Sequence, residues 1–247
     1  MKYAILGDIH GNLEALKAVL ERARELGCDH FACIGDIVGY NANPHECLEL
    51  FRSLDPVGVV KGNHDEYISN GEETVGFNPL AARAVEWTRE QLLDEELEWL
   101  AELPYTKICT APGFGRFQLV HATLDHPEGW GYILDRFTAE TNFEYQHFAI
   151  CFVGHTHIPV AFEKYEGIKG GLFSGTLQLE RNKKYLVNVG SVGQPRDGNP
   201  QAAFVEFAPA EMKVTLHRVD YDIEATCKKI LSADLPPRLA ERLAVGR

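Results

Sequence analysis

The chain has 247 residues, 45% hydrophobic and 24% charged, an ordinary globular balance that excludes a disordered or fibrous protein. Its 24 Lys and Arg against 36 Asp and Glu leave a net charge of −12, a field that repels long nucleic acids unless bound divalent cations reverse it locally. Six cysteines without a CxxC pair, and no apolar run near the ~18 residues of a membrane span, exclude a disulfide scaffold and a spanning segment.

The apolar start is interrupted at Asp8, too early for a signal peptide, so the chain reads as cytoplasmic with buried, reduced thiols. Cys28 and Cys33 come nearest to a zinc pair, but no second pair at matching spacing completes one. Tyr3 to Leu6 reads as a buried strand, Leu13 to Leu26 as a helix with apolar residues every three or four positions, and Phe31 to Ile34 as a second buried strand. Asn43, Pro44 and Glu46 mark the next helix as N-cap, first position and capping-box acid, with Leu48 and Phe51 on its apolar face. Val57 to Val60 supplies a third strand. Parallel strands joined by helices place functional loops beyond the strands' carboxyl ends.

The middle of the chain is more helical, with Asn78-Pro79 and Asp94 as N-caps, Asp94-Glu95-Glu96 as a first turn, and Pro104 as a stop. Short β-rich runs follow at Phe117 to Val120, Ile150 to Val153, Pro159 to Phe162, Tyr185 to Val189, Ala203 to Phe207 and Val214 to Val219. Because similar chemistry sits in both halves, two sheets packed face to face with helices outside are expected, not two independent domains. Ala225 to Leu231 and, after Pro236-Pro237, Leu239 to Val245 read as a packing or oligomer segment without chemistry.

Four predicted strand ends lead through glycine into metal-competent residues: Gly7-Asp8-Ile9-His10, Gly35-Asp36, Gly62-Asn63-His64-Asp65 and Gly154-His155-Thr156-His157. Glycine permits the tight turn and close approach that a crowded site needs. In extended chain, residues two apart share a face, so Asp8 with His10 and His155 with His157 each aim two ligands one way. His121 ends the Phe117 to Val120 run. Singly, such an Asp serves as well for a helix cap and an HxH for a surface pair; together they describe a site.

These motifs resemble the signature of calcineurin-like metallophosphoesterases, and the later stretch from Asn188 to Arg196 resembles bacterial and archaeal members. The resemblance implies an α/β fold, a four-layer αββα sandwich of two mixed sheets flanked by helices, with residues 1–247 forming one such domain. It implies two divalent metal ions, one held by Asp8, His10, Asp36 and His157, the other by Asp36, Asn63, His121 and His155, with Asp36 bridging. Mixed nitrogen and oxygen donors favour Mn, Fe, Co, Ni or Zn over Mg. The implied activity is hydrolysis of phosphomonoesters or phosphodiesters by a metal-activated water, with His64 stabilising the phosphoryl group or protonating the leaving oxygen.

The phosphoprotein phosphatase branch carries GDxxDRG and GNHE, whereas here Gly39 and Asp65 stand at the corresponding places, so His64 is expected to lack an orienting carboxylate. A small phosphorylated or nucleotide-type substrate fits better. Hydrolysis of dinucleoside polyphosphates or phosphoproteins, and a non-catalytic scaffold, are the alternatives. Arg196 is a candidate phosphate clamp, although a loop arginine is ordinarily solvated. Tyr40, Tyr67, Phe77, Trp130 and Tyr132, in loops that include 39–45, 65–80 and 122–136, are candidate stacking partners for a base and equally candidates for packing. His30, His45, His126, His147 and His217 read as structural or exposed.

Overall fold

The computed structural model describes residues 1–71 and 78–247; Phe77 and the rest of segment 72–77 lie outside the described residues. The first half runs β1 (Tyr3–Leu6), α1 (Leu13–Glu25), β2 (His30–Cys33), α2 (Pro44–Arg52), β3 (Gly58–Val59), α3 (Asn63–Asn70), α4 (Pro79–Gln91) and α5 (Asp94–Ala101). The second continues with β4 (Thr106–Ala111), β5 (Gly115–Val120), α6 (Arg136–Tyr145), β6 (Ile150–Val153), β7 (Val160–Lys164), β8 (Ile168–Leu172), β9 (Thr176–Gln178) and β10 (Lys184–Asn188). It ends with β11 (Ala202–Ala208), β12 (Lys213–Val219), α7 (Ile223–Ser232) and α8 (Pro237–Leu243).

The strands form two mixed six-stranded sheets, ordered β3-β2-β1-β11-β12-β9 and β4-β5-β6-β10-β7-β8. Parallel pairing runs from β3 through β1 in the first and from β5 through β10 in the second. Both faces of these strands are covered, which explains their unbroken apolar sequences. Tyr3 and Ile5 of β1 enter the core between the sheets with Phe117, Phe152 and Tyr185, while Ala4 and Leu6 pack outward against Leu16 and Val19 of α1. On the other sheet Ile150 and Phe152 face inward, whereas Cys151 and Val153 meet Ala139 and Phe143 of α6. The order is therefore helices, sheet, sheet, helices, with eight helices among the described residues.

Local signals are met unevenly. Asn12 caps α1 by accepting from Ala15 N–H (3.1 Å), and Asn78 caps α4 through Leu80 N–H (2.9 Å). The capping box expected at Asn43 is not formed, because the Asn43 side chain bonds Glu46 and accepts from Lys229 of α7 instead. Asp94 is the first residue of α5, not its cap; Leu93 holds that place and its N–H donates to Glu96. Strands β4, β8 and β9 and helices α3 and α6 are additions to the expected elements.

Phe207 is the hub of the inter-sheet core, 5.0–5.9 Å ring to ring from Tyr3, Phe114, Phe117 and Phe152. Phe207→Ala is expected to lower the unfolding free energy by about 3–5 kcal/mol in denaturant titration. Phe137→Ser, at a side chain 83% exposed, is expected to stay within about 0.5 kcal/mol of the parent.

Candidate metal centre

The loops after β1, β2, β3, β5 and β6 converge and bring together every candidate ligand. Asp8 and His10 follow β1, Asp36 follows β2, Asn63 opens α3, His121 follows β5, and His155 and His157 follow β6. The expected mode of pairing, alternation along extended chain, is not what unites them. Asp8, His10, Asp36, His155 and His157 all have left-handed backbone, with φ from 51° to 66°. Non-glycine residues pay roughly 1–2 kcal/mol each for that conformation, which persists only where the surroundings impose it.

The imposing contacts are main-chain hydrogen bonds between loops: Asp8 N to Gly35 O (3.0 Å), His10 N to Asp36 O (2.9 Å) and Gly193 N to Asp8 O (2.9 Å). The Asp65 carboxylate, fully buried, accepts from the N–H groups of Asp36 (2.7 Å), Ile37 (3.0 Å), Val38 (3.4 Å) and Gly62 (3.0 Å). It thus ties the Asp36 loop to the start of α3. Gly35, at φ 96°, lies so close to Gly62 that a Cβ would come within 2.5 Å of its nitrogen.

Four donors, from Asp8, His10, Asp36 and His157, form one cluster; Asp36, His121 and His155 form another. Asn63 Oδ1 joins the second, 3.3 Å from His121 Nε2. Asp36 Oδ2 lies 3.5 Å from both His10 Nε2 and His121 Nε2, between the clusters. The tautomers follow from the outer bonds. His10 Nδ1 meets Val38 O (3.1 Å), His121 Nδ1 meets Ile34 O (2.8 Å), His157 Nδ1 meets Gln194 O (2.6 Å) and His155 Nε2 meets Trp130 O (3.0 Å). A carbonyl only accepts, so each of these nitrogens carries the proton and the other presents a lone pair inward. Two such lone pairs face each other at 3.2 Å between His10 and His157, and two more at 3.2 Å between His121 and His155. Buried Asp8 Oδ1 also has no hydrogen-bond partner among the described residues. Facing lone pairs repel unless a cation lies between them, so the donor set fits divalent metal ions.

Electrostatics agree. Burial, then neighbouring imidazoles and Arg196, holds the His10 pKa far below the usual histidine value, and burial carries His155 down to about 2, so both rings are neutral and ligand-competent. Burial pushes Asp8 up to about 6, and burial followed by Asp65 and Asp8 raises Asp36 well above the usual carboxylate value. Cations would relieve that carboxylate repulsion.

His64 stands apart from both clusters, its ring 4.8 Å from that of His10 and 4.4 Å from that of Tyr40. Gly39 packs on it so closely that a Cβ at residue 39 would come within 2.5 Å of Nδ1. The Asp65 oxygens are committed to main-chain N–H groups, so neither position 39 nor Asp65 supplies the ring with a carboxylate.

A cavity of about 400 Å³ opens over Asn63, His64 and His155. Tyr40, Tyr67, Trp130 and Tyr132 line it, Tyr132 stacking on His155 at 4.4 Å. Arg196 lines it too, its guanidinium donating to Gln194 Oε1 (2.9 Å) and Tyr40 Oη (3.4 Å). So does Arg242 of α8, from one of the C-terminal helices expected to serve packing or oligomer formation alone. No local motif announces Arg242; helix packing alone brings it there. The bridging role of Asp65 was equally invisible, since its partners lie 3–29 residues away. Of the other histidines, His45 pairs with Glu96 and His217 with Glu206, both away from the site.

A left-handed, glycine-led cluster of imidazoles and carboxylates at the rim of two stacked sheets defines a class. The model of the calcineurin-like phosphoesterase superfamily domain matches residues 1–209, and the chain belongs to that superfamily: it is a phosphoesterase, a hydrolase. Among its relatives, the uncharacterized protein MJ0912 of Methanocaldococcus jannaschii is 40% identical over 244 residues, 99% of this chain and 98% of that one. The crystal structure of a metallophosphoesterase from Sphaerobacter thermophilus superposes with a TM-score of 0.86 at 38% identity, covering 100% of this chain and 99% of that one. A symmetrical bis(5'-nucleosyl)-tetraphosphatase of Sodalis glossinidius is 31% identical over 110 residues, 44% of this chain and 39% of that one.

Replacing Asp65 by Asn turns one acceptor oxygen into a donor facing N–H groups. The variant is expected to lose about 2–3 kcal/mol of stability in denaturant titration; parental stability would show that the four bonds contribute little.

Proposed function

We propose that this chain hydrolyses phosphomonoesters or phosphodiesters of small, nucleotide-type molecules with the help of two divalent cations. Asp8, His10, Asp36 and His157 would hold one, and Asp36, Asn63, His121 and His155 the other. The observation that carries this reading is the pair of facing imidazole lone pairs, each 3.2 Å apart, with Asp36 Oδ2 between them. Neutral nitrogen donors mixed with carboxylates favour Mn, Fe, Co, Ni or Zn. When bound, such cations would polarise the phosphoryl oxygens and make a water acidic enough to attack phosphorus near neutral pH.

The chain's own groups supply the rest. His64 would stabilise the transferring phosphoryl group or protonate the leaving oxygen; burial and then the Arg196 charge lower its pKa, which favours the first of these, a hydrogen bond donated by the neutral ring. Arg196, braced by Gln194 and Tyr40, offers its guanidinium to a phosphate oxygen. The cavity's size suits a small ligand, and its aromatic wall suits a base.

Dinucleoside polyphosphates are a second reading, supported by the partial similarity to symmetrical bis(5'-nucleosyl)-tetraphosphatases. A scaffold without catalysis has no use for the complete donor set. Six free cysteines, five of them buried, support a cytoplasmic setting; no helix among the described residues is long and apolar enough to cross a membrane.

The test is hydrolysis of a chromogenic phosphomonoester and phosphodiester with added Mn²⁺. Activity is expected in the parent, to vanish with chelator and return with metal. His64→Ala is expected to retain metal by elemental analysis yet lose on the order of 10²–10³ in turnover, the cost of removing one transition-state hydrogen bond. Normal turnover in the metal-loaded variant would remove His64 from the chemistry.

A further inference from the structure

Arg242 lies beyond the part of the chain that matches the superfamily model, which stops at residue 209. Its helix is nonetheless built into the cavity wall. Leu239, Ala240 and Leu243 of α8 pack in one cluster with Tyr40, with Ala84 of α4 and with Ile230 of α7. Leu239 and Leu243, four apart, share the buried face, and Arg242, three on from Leu239, stands at its edge toward the cavity.

The turn after α8 fixes the side chain. Arg242 Nε donates to an oxygen of Arg247, the last residue (2.6 Å), so the two terminal nitrogens are the donors left to the cavity. The same turn is latched to the loop that carries Arg196, through Gly198 N–H to Gly246 O (2.9 Å). Gly246, at φ 63°, presses on Asn199 so closely that a Cβ would fall 2.6 Å from its carbonyl carbon. Arg196 is likewise braced, with Nε (3.3 Å) and Nη2 (2.9 Å) on Gln194 Oε1 and its guanidinium over the Tyr40 ring at 5.7 Å.

Two guanidinium groups are thus held on one wall of the cavity. Arg196 has no carboxylate partner among the described residues, in a chain whose other cations commonly find one: Arg22 pairs with Glu25, Arg218 with Asp197, Arg238 with Glu241 and Lys229 with Glu14. Arg242 meets an oxygen of the last residue, Arg247, through Nε alone. Their repulsion is felt, since burial and then Arg196 lower the Arg242 pKa. Two guanidinium groups braced on one cavity wall of an acidic protein, with no carboxylate side chain on either, are arranged for an anionic ligand, and planar forks suit phosphate oxygens. His64 and His155, which line the same cavity, mark where the cleaved phosphate would lie under the function proposed above, on which this inference rests.

We propose that Arg196 and Arg242 form a second anion seat beside the metal centre, which takes a phosphate adjoining the one that is cleaved, so that the substrates of this chain carry at least two linked phosphates, as nucleoside di- and polyphosphates do. Arg242 is then a specificity-determining residue, and α8 is part of the substrate site.

The test is calorimetric binding to the full chain, in stoichiometric Mn²⁺, of adenosine 5'-(α,β-methylene)diphosphate, whose P–C–P link resists hydrolysis, compared with AMP. The parent is expected to prefer the diphosphate analogue by about tenfold or more, and Arg242→Gln to lose most of that preference, as removal of one charge-assisted fork demands. Circular dichroism and the unfolding midpoint check that the variant folds. If it does not, Arg242→Lys, which keeps the charge without the fork, is expected to show a preference at least threefold below the parent's. A parent without preference, or a folded variant that keeps the parental preference, overturns the seat. Binding is read without turnover, so failure of the chromogenic assay would refute the phosphoesterase function and leave this measurement interpretable.

Discussion

The Asp36 carboxylate is where the local structures of this protein meet. Its Oδ1 accepts the main-chain N–H of His64 (2.8 Å), its Oδ2 lies 3.5 Å from an imidazole of each cluster, and its own N–H is held by Asp65 (2.7 Å). It is about 1% exposed, in surroundings that contain Asp8 and Asp65 and would by themselves favour its protonated form. Burying such a group beside two others makes sense only if positive charge is to be placed there. The left-handed backbone at five candidate ligands expresses the same constraint: the loops accept local strain so that lone pairs converge.

That convergence explains the architecture around it. Parallel strands from each sheet deliver their carboxyl-terminal loops to one rim, and neither sheet alone supplies a complete set. The first gives Asp8, His10, Asp36 and Asn63, the second His121, His155 and His157. The aromatic core between the sheets, centred on Phe207, therefore fixes the spacing of the two halves of the site as well as stabilising the fold. Loops pinned by hydrogen bonds between them hold the imidazoles in one tautomer, which ties the preorganisation of the site to the packing of the core.

Much of this was legible in sequence because it is encoded locally. Strands buried on both faces read as unbroken apolar runs, and the glycine-led motifs hold the ligands within a few residues of one another. What escaped depends on distance or on register. Asn43 is the N-cap of α2 as expected, but its capping box does not form because Lys229, 186 residues away, takes its oxygen. The left-handed turns at Asp8 and His155 were read as extended chain, since nothing in a non-glycine residue announces positive φ. Strand β8, with Gly170 and Gly171 at its centre and exposed flanks, carries no hydrophobic alternation to betray it. Arg242 reaches the cavity only because α8 docks on Tyr40 and Ala84, a consequence of tertiary packing with no sequence pattern of its own.

The most direct measurement of the central claim is anomalous diffraction from crystals of this chain equilibrated with Mn²⁺. Two peaks are expected, one among Asp8, His10, Asp36 and His157 and one among Asp36, Asn63, His121 and His155, about 3.5–4 Å apart as in two-metal hydrolases. A single peak, or none at these residues in a folded crystal at saturating metal, would contradict a dinuclear centre and with it the account of why six buried side chains and the half-buried Asn63 are brought together.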